Sequence, residues 1–178
     1  EPGKYFVITL HRPASVDGGQ QLLRLLHAIV DGTRGLPVIF PVHPRTAKNL
    51  RDAGNTLPSM HYVDPLGYLE FNYLVKHAKG VITDSGGITE ETTVLGVPCL
   101  TLRDNTERPE TITIGTNELI GTDPGKLPPA LVRLMAGRWK KKAIPPLWDG
   151  KSAERIVEQL ERLLLQPRWR GPAYDTKG

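Results

Sequence analysis

Three residues, Ser85, Gly86 and Gly87, stand where an apolar strand pattern changes into a helical one. The first N–H groups of a helix have no partner within it and carry partial positive charge, and glycine lets an anion approach them closely. A phosphate group suits such a turn, and the Ser85 hydroxyl could add a hydrogen bond. A plain strand-to-helix turn with Ser85 as its N-cap explains the same residues equally well. The pattern matches neither the Walker A loop nor the glycine fingerprint of dinucleotide-binding proteins.

Two acidic residues, Glu90 and Glu91, follow on the same predicted helix. Acidic side chains near a helix N-terminus commonly do no more than complement its dipole on a solvated face, and we favour this interpretation for Glu90. One of the two carboxylates could instead point along the groove and accept both hydroxyls of a ribose, as acidic residues do in other nucleotide sites.

A dense run of charge, Arg103-Asp104-Asn105-Thr106-Glu107-Arg108-Pro109-Glu110, follows the next predicted strand. Charged loops at the carboxyl ends of strands often have a function, and the planar guanidinium of Arg108 could bind a diphosphate through two hydrogen bonds. A surface loop held by ion pairs is the alternative.

His11 and His43 each end a predicted strand. A histidine in this position is often bonded only to its local backbone, so a structural role explains either ring as well as a functional one does. No third histidine, cysteine or aspartate stands at ligand spacing with them, and the sequence therefore predicts no metal site. A Ser-His-acid triad can be assembled from Ser85, His11 and Glu91, but the chain lacks the Gly-x-Ser-x-Gly motif of such hydrolases.

The composition is that of one ordinary globular domain, with 178 residues of which 39% are apolar and 24% charged. A formal net charge of +4 favours anionic ligands, but no platform of aromatic and basic residues accompanies it, so nucleic-acid binding is not predicted. The single cysteine, Cys99, leaves no disulfide within the chain and fits a buried thiol in the cytoplasm. No apolar run approaches the roughly 20 residues needed to span a bilayer, so no membrane segment is predicted.

Strand and helix patterns alternate along the chain, which predicts a parallel, Rossmann-like α/β sheet with helices on both faces. The carboxyl ends of parallel strands meet at one edge, where ligands of such folds bind. We therefore expect His11-Arg12, His43-Pro44-Arg45 and Asp84 to Gly87 to meet there. The predicted strands are 5–10, 36–42, 61–63, 80–83, 98–102 and 116–120, and the predicted helices are 22–31, 46–53, 69–78, 88–95, 126–135 and 153–164.

The order and spacing of several motifs resemble the non-hydrolysing UDP-N-acetylglucosamine 2-epimerases. The resemblance extends to about Leu165 and covers only the carboxyl-terminal half of such an enzyme. Glu1 runs almost directly into a strand without an initiator Met, as expected of a piece of a longer protein. The motifs are Thr83-Asp84-Ser85-Gly86-Gly87-Ile88-Thr89-Glu90-Glu91, Leu95-Gly96-Val97-Pro98, the charged run from Arg103 to Glu110, His11-Arg12, Pro41-Val42-His43-Pro44, Pro65-Leu66-Gly67-Tyr68 with Phe71, and Asp149-Gly150-Lys151-Ser152-Ala153-Glu154-Arg155-Ile156.

The resemblance implies the carboxyl-terminal domain of a GT-B fold, in which two Rossmann-like domains face a cleft. Residues 1–165 would form the UDP-binding domain, 166–178 a flexible tail, and the amino-terminal domain would be missing. The implied UDP contacts are Ser85, Gly86 and Gly87 on the diphosphate, Arg108 on the phosphates, Glu91 on the ribose, Leu66 and Phe71 beside the uracil, and His11 at the pyrophosphate and the scissile bond. Arg12 and His43 would belong to a regulatory site for a second UDP-sugar, although Pro13-Ala14-Ser15 departs from the family's Arg-Glu-Asn there.

The implied reaction interconverts UDP-N-acetylglucosamine and UDP-N-acetylmannosamine by elimination and re-addition of UDP, without metal or nicotinamide, for bacterial polysaccharide synthesis. Fixed N–H dipoles, Arg108 and a protonated His11 could stabilise the leaving diphosphate. In the family, the carboxylates that move the C2 proton lie in the amino-terminal domain, so we expect the isolated chain to be inactive. The implied partners are a UDP-sugar, the amino-terminal domain and a second copy in a homodimer.

Other functions fit parts of the same pattern. A glycosyltransferase of the GT-B type binds nucleotide sugars with a similar domain, although the Arg103 to Glu110 run favours the epimerase. A hydrolysing epimerase would release free sugar and UDP. A non-catalytic nucleotide-sugar-binding module would retain this half while lacking the carboxylates of the other.

Overall fold

The computed structural model describes residues 1–42, 46–47, 50 and 57–165, with Ala14 described by its backbone alone. The chain forms two compact units, residues 1–144 and 145–178. The predicted helix at 46–53 falls mostly outside the described residues, but Thr46, Ala47 and Leu50 are helical. The predicted tail at 166–178 lies outside them entirely.

In the described part of the first unit, six parallel strands form one sheet in the order β3-β2-β1-β4-β5-β6. The strand order reverses between β1 and β4, which is the topological switch point where doubly wound sheets bind ligands. The predicted parallel Rossmann-like sheet is confirmed. The strands are β1 (Phe6–Thr9), β2 (Val38–Pro41), β3 (Met60–Val63), β4 (Gly80–Thr83), β5 (Cys99–Thr101) and β6 (Asn117–Leu119).

The helices of the first unit include two short ones that the sequence analysis did not predict, α1 and α5. Each begins at a proline, which fits the first position of a helix because its missing N–H would be unpaired there anyway. Neither is long enough to show an apolar period. Apart from the partly described helix at Thr46, Ala47 and Leu50, the helices of this unit are α1 (Pro13–Val16), α2 (Gly19–Gly32), α3 (Tyr68–Lys76), α4 (Gly86–Leu95), α5 (Pro109–Thr113) and α6 (Leu127–Met135), with a 3-10 turn at Pro124–Lys126.

The helices cover both faces of the sheet because side chains alternate along each strand. Phe6 and Ile8 of β1 point to one face, where they join buried side chains of α2 and α6 such as Leu26 and Leu131. Val7 belongs to the other face and packs with Val75 of α3 and with apolar residues of α4. The parallel pairing of β1 with β4 holds the ends of these strands side by side, with Thr9 paired to Thr83 and their hydroxyl oxygens 2.6 Å apart.

The second unit contains α7 (Ser152–Leu164), one residue longer than predicted. The Asp149 carboxylate accepts two hydrogen bonds from the Arg155 guanidinium, at 2.8 and 2.5 Å, and this contact holds the pKa of Asp149 below its usual range. The predicted apolar face of α7 has its side chains at least half exposed, at Ile156, Leu160, Leu163 and Leu164. No helix in the described ranges combines the length and the apolar character needed to cross a membrane.

Candidate functional site

The turn between β4 and α4 places Ser85 at the N-cap and the two glycines at the first positions of the helix. The helix therefore begins two residues earlier than predicted. Ser85 occupies the capping position, but its hydroxyl makes no capping hydrogen bond, and its N–H donates to Thr83 Oγ1 at 2.9 Å. Ser85 is therefore the N-cap residue by position, as the alternative interpretation had it, but its side chain does not satisfy the first-turn N–H groups of α4.

The two glycines have different surroundings. A Cβ atom on Gly86 would lie 3.2 Å from Nη1 of Arg103 and 3.5 Å from Oε2 of Glu107. A Cβ atom on Gly87 would have no neighbour within 4 Å. Gly86 thus makes room for the charged loop after β5, whereas the face of Gly87 is open to a molecule that approaches the helix N-terminus.

Asp84 connects the ends of β1 and β4. Its side chain is fully buried, and its Oδ2 accepts hydrogen bonds from the backbone N–H groups of His11, at 3.0 Å, and Arg12, at 2.9 Å. Its Oδ1 lies 2.9 Å from Nδ1 of His11. The predicted meeting of the clusters at His11 and at Asp84 to Gly87 on one sheet edge is therefore observed.

The loop after β5 is organised by Arg103, whose side chain is only 7% exposed. Its guanidinium donates two hydrogen bonds to the Glu107 carboxylate, at 2.9 and 2.7 Å, and a third to Asn105 Oδ1 at 3.1 Å. The paired arginine lowers the pKa of Glu107 to about 2. This bidentate contact fixes the loop against the start of α4.

Arg108 is the N-cap residue of α5 and forms an ion pair with Glu90 of α4, through its Nε. The ion-paired loop that we considered as the alternative is therefore observed, and Glu90 has an arginine partner in addition to the helix dipole that we considered for it. The Arg108 side chain is still 52% exposed, and Glu90 lies in the second turn of α4. Because Arg108 lies beside α4 and is half exposed, its side chain can contact a ligand at the N-terminus of this helix.

Glu91 is partly buried beside Asn72 of α3. Burial raises its pKa above the ordinary value, a hydrogen bond from the Asn72 side chain opposes this shift, and the Glu90 charge adds to it. The two acids of α4 therefore differ: Glu90 is paired with an arginine, whereas Glu91 is partly buried near the uncharged amide of Asn72.

The predicted uracil contacts lie at the start of α3. Leu66 precedes the helix and is 37% exposed, while Phe71 is partly buried and packs on the core between the sheet, α3 and α4. Because α3 contacts α4, Phe71 belongs to the same side of the sheet as Glu91, and Leu66 lies two residues before the start of α3.

The two predicted regulatory residues can be placed only in part. Arg12 is exposed at the end of β1, and its positive charge contributes to the lowered pKa of Glu107. His43 lies outside the described residues. Thr46, three residues later, donates from Oγ1 to the Leu10 carbonyl oxygen at 2.8 Å, so the chain returns there to the end of β1.

The family model for UDP-N-acetylglucosamine 2-epimerase matches residues 1–161. The chain belongs to this family. Within it, the epimerase of Methanocaldococcus jannaschii is 43% identical over 166 residues, which are 88% of this chain and 44% of that protein. The Escherichia coli K12 epimerase is 35% identical over 167 residues, or 89% of this chain and 44% of that protein. The chain therefore spans about half the length of the curated relatives it matches.

Solved structures of epimerases have the same fold. The crystal structure of the M. jannaschii UDP-GlcNAc 2-epimerase in complex with UDP-GlcNAc and UDP matches at a TM-score of 0.74 and 40% identity, over 89% of this chain and 45% of that one. An E. coli heptosyltransferase with ADP matches at a TM-score of 0.56 and 15% identity, over 77% of this chain and 45% of that one, and shows likeness of fold alone. The predicted Rossmann-like domain of the GT-B type is confirmed.

Three residues of the candidate site received no individual role in the sequence analysis: Asp84, Arg103 and Asn72. Asp84 directly follows β4, so its position beside the end of β1 was implied by the predicted parallel topology. The burial of Arg103 had no sequence signal, because its partners Asn105 and Glu107 look like ordinary surface residues. Asn72 faces Glu91 only through the packing of α3 on α4, which a one-dimensional pattern does not specify.

Proposed function

We propose that this chain is the UDP-binding half of an enzyme that interconverts UDP-N-acetylglucosamine and UDP-N-acetylmannosamine by elimination and re-addition of UDP. The observation that supports this most strongly is the open N-terminus of α4 at the switch point of the sheet. It supplies backbone N–H donors, an accessible glycine and a nearby arginine at one place, as a diphosphate requires.

In the proposed complex, the diphosphate lies on Ser85, Gly86 and Gly87, with Arg108 beside it. Glu91 accepts the ribose hydroxyls. The uracil lies against Leu66 and Phe71, and His11 approaches the pyrophosphate from the end of β1. This arrangement follows the order of the elements, since β1, α3 and α4 meet around the same edge.

The site stabilises a leaving diphosphate better than it moves a carbon-bound proton. Asp84, Glu90 and Glu107 each hold a cationic or N–H partner, and we assign Glu91 to the ribose. The proton chemistry at C2 is accordingly assigned to the amino-terminal half that the relatives possess. By itself, the chain binds UDP weakly or not at all and does not epimerise.

Calorimetric titration with UDP tests this arrangement in the complete enzyme, in which the chain is joined to that amino-terminal half. Glu91→Ala and Arg108→Ala should each raise the Kd by at least about tenfold, since each removes a hydrogen bond with a charged group. Arg133→Ala is the matched control, because Arg133 is similarly exposed and pairs with Glu118. Unchanged affinity in both site variants would refute the proposed contacts.

A further inference from the structure

The carboxylate of Asp84 is buried at the end of β4 and has a donor at each oxygen. The backbone N–H groups of His11 and Arg12 point at Oδ2, and the His11 N–H also lies 3.3 Å from Oδ1. The imidazole nitrogen Nδ1 of His11 completes the set at Oδ1. A buried carboxylate is costly unless donors surround it, so this set accounts for how Asp84 is accommodated with no exposed surface.

The contact with the ring determines which His11 nitrogen faces outward. An ionised carboxylate accepts hydrogen bonds and cannot donate one, so Nδ1 must be the protonated nitrogen. Nε2 is then the ring atom available to a ligand, and the His11 side chain is 47% exposed. A carboxylate that orients a functional imidazole in this way is a recurring arrangement in enzymes.

A purely structural role would not require a negative charge at this position. The two backbone N–H groups could be satisfied by one neutral carbonyl oxygen, which has two lone pairs. The second carboxylate oxygen of Asp84, Oδ1, accepts the hydrogen bond from Nδ1 of His11. The pKa of Arg103 is raised mainly by its hydrogen bonds to Glu107 and, to a smaller extent, by the charge of Asp84, so a buried guanidinium also lies near this carboxylate.

We propose that Asp84 is a positioning residue that keeps Nδ1 of His11 protonated, so that Nε2 faces the diphosphate of the substrate and, once the ring takes up a second proton there, donates a hydrogen bond to a phosphate oxygen. This rests on the proposed function for the identity of the ligand, but not for the state of the ring. In Asp84→Asn, an NH₂ group replaces one carboxylate oxygen, so a hydrogen-bond acceptor becomes a donor at that position. The two backbone N–H groups take the Asn carbonyl oxygen, its NH₂ group faces Nδ1, and the ring changes to its Nε2–H tautomer.

The test is nitrogen NMR of the complete enzyme labelled only in its histidine rings, at alkaline pH where imidazole is neutral, with the His11 signal assigned through His11→Gln. In the unsubstituted enzyme, Nδ1 of His11 should show the shift of a protonated ring nitrogen and Nε2 that of an unprotonated one. Asp84→Asn should exchange the two. Asp123→Asn is the control, because Asp123 only caps the 3-10 turn and accepts from the Gly125 N–H.

Kinetics with UDP-N-acetylglucosamine separate positioning from folding and binding. Asp84→Asn should lower kcat by about a hundredfold, as expected when one donor to a developing negative charge is misplaced, and change KM less than threefold. An Nε2–H tautomer in the unsubstituted enzyme would overturn the proposal even if Asp84→Asn failed to fold. A changed tautomer with unchanged kcat would also overturn it. If the complete enzyme lacks epimerase activity while the tautomer responds as expected, the proposed function fails and the assignment of the ring stands.

Discussion

Two carboxylates at the same sheet edge differ in their environment. Asp84 is surrounded by N–H donors, which orient it rigidly. Glu91 is partly buried with one amide partner, Asn72, and is directed by the packing of α3 on α4. The first arrangement suits a group that acts through its neighbour, whereas the second suits a group that exchanges its partner for a ligand.

Glu91→Gln should increase stability at neutral pH while weakening UDP binding. Because burial raises the pKa of Glu91, the folded protein takes up this proton at a higher pH than the unfolded chain. The ionised group therefore lowers the free energy of unfolding above its folded-state pKa, and this penalty disappears as the pH falls below the ordinary value of 4.5. Urea unfolding at several pH values should show a gain for Glu91→Gln at pH 7 that disappears in acid.

The same variant should raise the Kd for UDP by about tenfold, because a charged acceptor is replaced by a neutral one. A loss of stability at neutral pH, or full retention of UDP affinity, would contradict the role assigned to Glu91.

Cys99 should be inert in the folded protein. It is fully buried, and this burial raises its pKa to about 11 against the opposing hydrogen bonds from Thr92 and Thr101. Thiolate is the reactive form, so iodoacetamide at pH 8 should label Cys99 only when denaturant is added. Mass spectrometry of protein labelled in buffer and in urea checks this, and rapid labelling of the native protein would show that β5 is more accessible than described.

At the scale of elements, the packing of α2 on α6 depends on one glycine. A Cβ atom on Gly32 would lie 2.3 Å from Cδ1 and 3.2 Å from Cβ of Leu131, which is fully buried. Gly32→Ala should therefore lower the free energy of unfolding by about 1–3 kcal/mol, as overpacking does.

Gly19→Ala is the matched control in the same helix, because a Cβ atom there has no neighbour within 4 Å. It should be neutral or raise stability by roughly 0.5 kcal/mol, since alanine favours the helix. Chemical denaturation of both variants compares them directly, and equal stabilities would mean that α2 and α6 are less closely packed than described.

Strands with short continuous apolar runs and helices whose apolar residues repeat with a clear period were predictable. The β1, β4 and α6 patterns were placed within one or two residues of their observed bounds. The start of α4 was less predictable, since Gly86 and Gly87 read as a turn whereas they form the first helical positions. The short helices α1 and α5 depend on proline and on tertiary contacts, which no apolar period records.

The candidate site was predictable where motif and topology agree, as at His11 and at Ser85 to Gly87. The contacts that organise it were not. Arg103 is buried against Glu107, and Arg108 pairs with Glu90, because loops fold onto α4 in three dimensions. Which arginine of the charged run is buried could not be decided from residue types alone.

At the scale of the whole molecule, the first unit contains every described residue of the proposed site, and the relatives are about twice as long as this chain. The chain alone should show no conversion of UDP-N-acetylglucosamine, whereas the complete enzyme should yield UDP-N-acetylmannosamine. Proton NMR of the anomeric signals distinguishes UDP-N-acetylglucosamine from UDP-N-acetylmannosamine. Turnover by the chain alone would show that its own residues perform the proton transfer, and release of free sugar would favour hydrolysis.

The central claim is that a UDP diphosphate lies against the first turn of α4, and calorimetric titration of the complete enzyme with UDP tests it most directly. Gly87→Ala and Gly19→Ala each add one methyl group to the first turn of a helix, where it has no neighbour within 4 Å. Both variants should therefore fold as the unsubstituted enzyme does. We predict that Gly87→Ala raises the Kd for UDP at least about tenfold, or 1.4 kcal/mol, whereas Gly19→Ala leaves it unchanged. Equal, unaltered affinities in the two variants would contradict the proposed site.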